Sequence, residues 1–137
     1  MIYSISFIAL LSMLLSSCSI NRQAISGNDW KVESIKAHPD SALNNASQNY
    51  ILSLKEKDFT LKLDVNNCFG KFSIQNQNID FQEMACTEIC CDSKYAMSLA
   101  NILRDVYKYK TTKSGLKLFT KNQREIYLKQ VTKTEEN

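Results

Sequence analysis

The chain has 137 residues with 17 basic against 14 acidic side chains, a net charge of +3. That length fits a single domain, and basic residues scattered along it argue against a nucleic-acid-binding surface. Only three Gly and one Pro exclude collagen-like and low-complexity repeats.

Residues 1–17 carry no charged side chain and include Ile5, Phe7, Ile8, Leu10, Leu11, Met13, Leu14 and Leu15. This apolar block is short of the roughly 20 residues that span a bilayer, so it reads as an export signal. Leu15-Ser16-Ser17-Cys18 resembles a bacterial lipobox, in which small residues admit the signal peptidase and the thiol receives the lipid. Cys18 is then the lipidated first residue of the mature chain. More than one acyl chain, at about 0.8 kcal/mol per buried methylene, anchors durably where a single chain does not. An ordinary cleaved signal with an incidental Cys18 is the competing reading. Ser19-Ile20-Asn21-Arg22 lacks acidic residues, which favours the periplasmic face of the outer membrane. Residues 18–28 read as a lipidated N-terminus and tether.

The body begins with Trp30-Lys31-Val32-Glu33-Ser34-Ile35. Trp30, Val32 and, after a slip, Ile35 share one face of a first strand, with Trp30 as core anchor. Residues 38–49 form a polar loop, in which the single histidine, His38 beside Pro39, reads as a surface residue because zinc and acid–base sites recruit several such groups. Tyr50, Leu52 and Leu54 then face inward. After a charged turn at residues 55–58, so do Phe59, Leu61, Leu63 and Val65. Phe72 and Ile74 pair with Ile79 and Phe81 across Asn76-Gln77-Asn78, since Asn tolerates left-handed backbone angles. Gly70 marks a bulge or a close backbone approach.

Asp92-Ser93 caps a helix whose stripe is Tyr95, Ala96, Leu99, Ile102, Leu103 and Val106. Three strand-like stretches follow, at residues 107–110, 116–119 and 126–129, with turns at Ser114-Gly115 and Asn122-Gln123. Their Lys and Tyr residues suit alternation on a half-solvated sheet better than a nucleic-acid face. The expected fold is α+β, a mostly antiparallel sheet with one helix inserted before the last strands. The domain spans residues 29–132, and residues 133–137 are a charged tail that frays.

This order of elements resembles the META-domain family of small bacterial envelope proteins (HslJ-like). The resemblance rests on Trp30-Lys31-Val32, on Asn66-Asn67-Cys68 followed by Gly70-Lys71-Phe72, and on Met84-Ala85-Cys86-Thr87 running to Cys91. Gly115-Leu116-Lys117-Leu118 and Ile126-Tyr127-Leu128 complete it. The Cys-Thr-x-x-Cys-Cys-Asp ending resembles a Cys-rich variant of the Bacteroidetes group. The family implies roles in envelope stress, antibiotic resistance or as secreted proteins, and no agreed enzymatic chemistry.

In an exported chain Cys68, Cys86, Cys90 and Cys91 suggest two disulfides. Joining Cys90 to Cys91 needs a strained ring between adjacent residues and is discounted. Cys68–Cys91 with Cys86–Cys90 is preferred, and Cys68–Cys90 with Cys86–Cys91 remains nearly as good. A four-thiolate metal site lacks the usual Cys-x2-Cys knuckle, and structural bridging outweighs a thiol-redox role for Cys90 and Cys91 before the helix. No Ser–His–Asp set, paired-carboxylate motif or phosphate-cradling glycine loop appears. The expectation is a non-enzymatic envelope lipoprotein without cofactor or metal. It would be held to the membrane through Cys18 and bind another envelope protein. The alternative is a periplasmic thiol-redox or metal-handling lipoprotein using Cys86, Cys90 and Cys91.

Overall fold

The structure, a computed structural model, describes residues 25–132. The expected signal peptide, Cys18 and the expected charged tail lie outside them. Nine strands and one helix follow in the order β1 (Asn28–Lys36), β2 (Asn44–Asn45), β3 (Ile51–Lys55), β4 (Asp58–Lys62), β5 (Asn67–Gln75), β6 (Asn78–Cys86), α1 (Lys94–Arg104), β7 (Val106–Thr112), β8 (Gly115–Thr120) and β9 (Glu125–Gln130). From β3 to β9 each strand pairs antiparallel with the next, and β1 pairs with both β3 and β9. The expected sheet with one inserted helix is therefore present, but it closes into an eight-stranded barrel, with the two-residue β2 added beside the far half of β1.

Alternation supplies the barrel interior. Leu52 and Leu54, Phe59 and Leu61, Leu116 and Leu118, and Ile126 and Leu128 are all buried, as period-two patterning on a one-sided sheet requires. The slip in β1 is a bulge: the register with β9 shifts between Val32 and Ser34, so Val32 and Ile35 both reach the core. Trp30 is buried, and its indole N–H donates to the Ile25 carbonyl at 3.0 Å. Ile25 is fully buried and the Gly27 amide donates to the Leu54 carbonyl at 2.6 Å. Residues 25–28, expected in the tether, thus belong to the fold.

One inward assignment fails. Val65 is 43% exposed, because β4 ends at Lys62 and the chain turns through Asp64 and Asn66 instead of extending the strand. The helix follows its stripe more closely, burying Ala96, Leu99, Ile102 and Leu103 together with Ala100. Val106 is buried as well, but as the first residue of β7. The helix packs against β6 and β9. Tyr95 stacks on Tyr50 with ring centroids 5.2 Å apart and donates its hydroxyl to the Asn44 carbonyl. Contacts with elements so far apart around the barrel lay the helix across one open end and close it.

Candidate functional site

Two features of the closed end and the outer wall can carry chemistry, the cysteine-rich loop and a lysine-lined groove. The loop depends on a bulge in β6. Phe72 lies opposite Phe81 and Ile74 opposite Ile79, but the register shifts between Phe69 and Lys71, so Glu83 and Met84 together face Gly70. Glu83 takes a left-handed φ of 53°, as the first residue of such a bulge does. Gly70 makes room for it: a Cβ there would lie 2.5 Å from the Gln82 carbonyl oxygen and 2.8 Å from a Phe59 ring carbon. Beyond the extra residue the faces of β6 exchange, which turns Met84 and Cys86 inward. Cys86 lands directly opposite buried Cys68, and the two are joined in a disulfide.

From Cys86 the chain runs to the helix through Thr87–Asp92, held by the side chain of Asn66. Its carbonyl oxygen accepts from the Thr87 hydroxyl at 2.8 Å and the Ile89 amide at 2.7 Å. Its amide nitrogen donates to the Ile89 carbonyl and to the Asp92 carboxylate, both at 2.6 Å. The other oxygen of Asp92 accepts from the Val65 and Asn66 amides. Asp64 accepts from the Ser93 amide at 2.8 Å and the Tyr50 hydroxyl at 2.7 Å. Ser93 alone caps the helix, its hydroxyl accepting from the Ala96 amide at 3.1 Å, while Asp92 turns back to the loop. Burial pushes the Asp92 carboxyl up, but the bonds from Val65 and Asn66 outweigh it and hold the group below its usual range. The bond with Ser93 lowers Asp64 likewise.

The four cysteines do not pair as expected. Neither Cys68–Cys91 with Cys86–Cys90 nor Cys68–Cys90 with Cys86–Cys91 occurs; the bonds are Cys68–Cys86 and Cys90–Cys91. The bulge consumes Cys68 and Cys86 inside the wall. The clasps at Ile89 and Asp92 hold Cys90 and Cys91 outside it, both exposed and adjacent. Cys86, Cys90 and Cys91 therefore do not form one cluster. Among the described residues no group of three or more His, Cys, Asp or Glu is placed to hold a metal ion. His38 sits in the exposed turn after β1, its carbonyl accepting from Ser41.

The groove was not foreseen. A concavity of about 570 Å³ on the outer wall is lined by Lys36, Lys108, Lys110 and Lys121 against a single carboxylate, Glu125. Glu125 is already engaged by Lys117 at 2.9 Å and by the Tyr127 hydroxyl. Burial raises its carboxyl, but Tyr127, Lys117 and the charge of Lys36 more than offset this and keep it ionised below the usual range. The alternation Tyr107-Lys108-Tyr109-Lys110 hinted at this wall. A third bulge, between Val106 and Lys108, leaves both Tyr107 and Lys108 exposed.

A one-helix antiparallel barrel clasped by a cysteine-rich loop is the class that this geometry defines. The META domain profile matches residues 23–133, and the chain belongs to the META-domain family. An NMR structure of a protein from Burkholderia xenovorans superposes with a TM-score of 0.69 at 13% identity, over 81% of this chain and 86% of that one. A second NMR structure gives a TM-score of 0.55 at 18% identity, over 74% of this chain and 87% of that one. These likenesses show the fold. No curated protein matches the chain.

Proposed function

We propose that this protein is a lipid-anchored envelope protein whose META barrel acts by binding rather than by catalysis, held at Cys18 on the periplasmic face of the outer membrane. The observation that carries this reading is the Cys68–Cys86 bond, set directly across two paired strands inside the wall. A disulfide built into a sheet suits an oxidising compartment, and so an exported chain. Leu15-Ser16-Ser17-Cys18 supplies the matching signal. The polar network supports a binding role, because buried Asn66, with Thr87 and Asp92, spends its hydrogen bonds within the chain. Their arrangement positions a loop. An envelope-stress role and a protein partner belong to the same reading.

The test is a Cys18→Ala chain expressed beside the wild type with labelled fatty acid. The wild type takes up label and fractionates with membranes, and the variant loses both. Unchanged fractionation sinks the anchor. Intact mass with alkylation before and after reduction checks compartment: four reactive thiols before reduction contradict the export reading.

The exposure of Cys90 and Cys91 favours a second reading, a thiol-redox role now confined to that pair. Under it, a Cys90→Ser, Cys91→Ser chain loses thiol–disulfide exchange with a dithiol substrate while its barrel stays folded.

A further inference from the structure

The geometry points to an anion-binding site in the lysine-lined groove, built to take a phosphate-bearing ligand. One rung of the barrel organises it. Lys108 lies opposite Phe119, Phe119 opposite Glu125, and Glu125 opposite Lys36. Two lysines therefore end a row whose middle is an aromatic ring and an already neutralised carboxylate. Lys110 stands one step along β7, opposite Lys117. Lys121, in the β8–β9 turn, reaches over the Tyr107 ring at 6.0 Å.

Among the described residues none of Lys36, Lys108, Lys110 and Lys121 has a carboxylate within ion-pair distance. The four ion pairs there are Lys55–Asp29, Lys71–Asp58, Lys117–Glu125 and Arg124–Asp105. Acids that could have balanced the groove are committed elsewhere: Glu125 to Lys117 and Tyr127, Asp105 to Arg124. Ammonium groups converging on one concavity repel one another, and an anion seated between them relieves that repulsion and gains charge-assisted hydrogen bonds. A concavity of about 570 Å³ falls within the range of small-ligand sites, roughly 300–1,000 Å³.

The walls are fixed. The Tyr109 amide donates to the Gln77 carbonyl at 3.0 Å and its hydroxyl to the Asn76 carbonyl at 3.0 Å, which welds the β5–β6 hairpin tip to β7. Across the groove, the Thr120 hydroxyl donates to Asn122 at 2.6 Å and accepts from the Arg124 amide at 2.9 Å, which fixes the β8–β9 turn. Tyr107, 39% exposed, offers a ring beside the charges, so the ligand pairs its phosphate with a flat or apolar part. Such a phosphate can come from a soluble molecule or from a lipid headgroup.

The test titrates the purified full chain, in non-ionic detergent, with inorganic phosphate while following backbone amide shifts by NMR. The expected result is a saturable response at residues 108, 110, 119 and 121. A Lys108→Gln, Lys110→Gln chain should bind about tenfold more weakly or worse. A Lys57→Gln, Lys62→Gln chain, altered on the opposite wall with the same loss of charge, should bind as the wild type does. Parallel titrations with micelles doped with phosphatidylglycerol or phosphatidylcholine separate the sources. A phosphatidylglycerol-selective response at the same amides assigns a lipid headgroup, and a response to phosphate alone assigns a soluble ligand. Equal weakening in both double variants, or no saturable response to either probe, overturns the site.

Discussion

Asn66 and Asp92 lie 26 positions apart and meet at 2.6 Å, amide nitrogen on carboxylate oxygen. Through that contact the end of one strand dictates where the chain leaves the sheet for its helix. Replacing Asn66 with Ala strands the Ile89 amide and carbonyl and removes a donor from Asp92. Ile89 is exposed and water can replace part of what is lost, so the net cost is that of ordinary hydrogen bonds, about 0.5–1.5 kcal/mol each. The Asn66→Ala chain should show that loss in chemical denaturation. Faster hydrogen exchange at the Ile89 amide, with β8 and β9 unaffected, would mark the loosening as local.

Gly70 is expected to tolerate no side chain. An added Cβ meets the Gln82 carbonyl and the Phe59 ring, and overpacking of this kind costs about 1–3 kcal/mol. The same clash opposes the bulge that aligns Cys68 with Cys86. Gly70→Ala should therefore lower the denaturation midpoint and raise the free-thiol content after oxidative refolding. Wild-type values for both would refute the role given to the bulge.

The Cys68–Cys86 bond spans 18 positions. In the chain-entropy account a loop of that size contributes about 3 kcal/mol. A Cys68→Ala, Cys86→Ala chain should lose an amount of that order, read from urea unfolding. The exposed Cys90–Cys91 pair closes no such loop, and its removal should leave the unfolding free energy within about 0.5 kcal/mol.

Asp64 and Asp92 set an acid limit. Both titrate below the ordinary value of 3.8 in the folded chain. Their contribution is thus complete above that value and disappears as pH falls through the lower folded-state values. Asp92→Asn should flatten the fall of stability below the ordinary value of 3.8, followed by fluorescence of Trp30.

Tyr95 sets the alkaline counterpart. Burial, with a smaller contribution from Tyr50, pushes its phenol up to about 12. The stabilisation is full below the ordinary value of 10.0 and is lost as pH rises toward 12. Burial raises Tyr50 as well, so an ultraviolet phenol titration should show a late-titrating set from which Tyr95→Phe removes one tyrosine.

What the sequence revealed and concealed follows the range of the forces involved. Phe72 opposite Phe81 and Ile74 opposite Ile79 were readable, because a half-buried hairpin and the left-handed Asn76 (φ 58°) fix register within a few residues. The bulge at Gly70 was readable as a possibility. Its effect on Cys86 was not, since that depends on which strand takes the extra residue. Val65 was misread because Asp64 and Asn66, polar residues in an alternating run, turn the chain to serve residues more than twenty positions away. Closure was hidden for a different reason: an open one-sided sheet and a barrel share the same alternation. With closure hidden, Lys36 could not be placed on the same rung as Lys108.

Strand direction settles one last matter. β1 enters the barrel at Asn28 and β9 leaves it at Gln130, where the Gln130 side chain donates to Asn28 at 2.9 Å and the Val131 amide to Asp29. The helix and the Asn66 clasp occupy the other rim, where β4 and β6 end and β9 begins. The described chain therefore enters and leaves the barrel at one rim, and the cysteine loop stands at the opposite one, where a ligand on it stays clear of both ends.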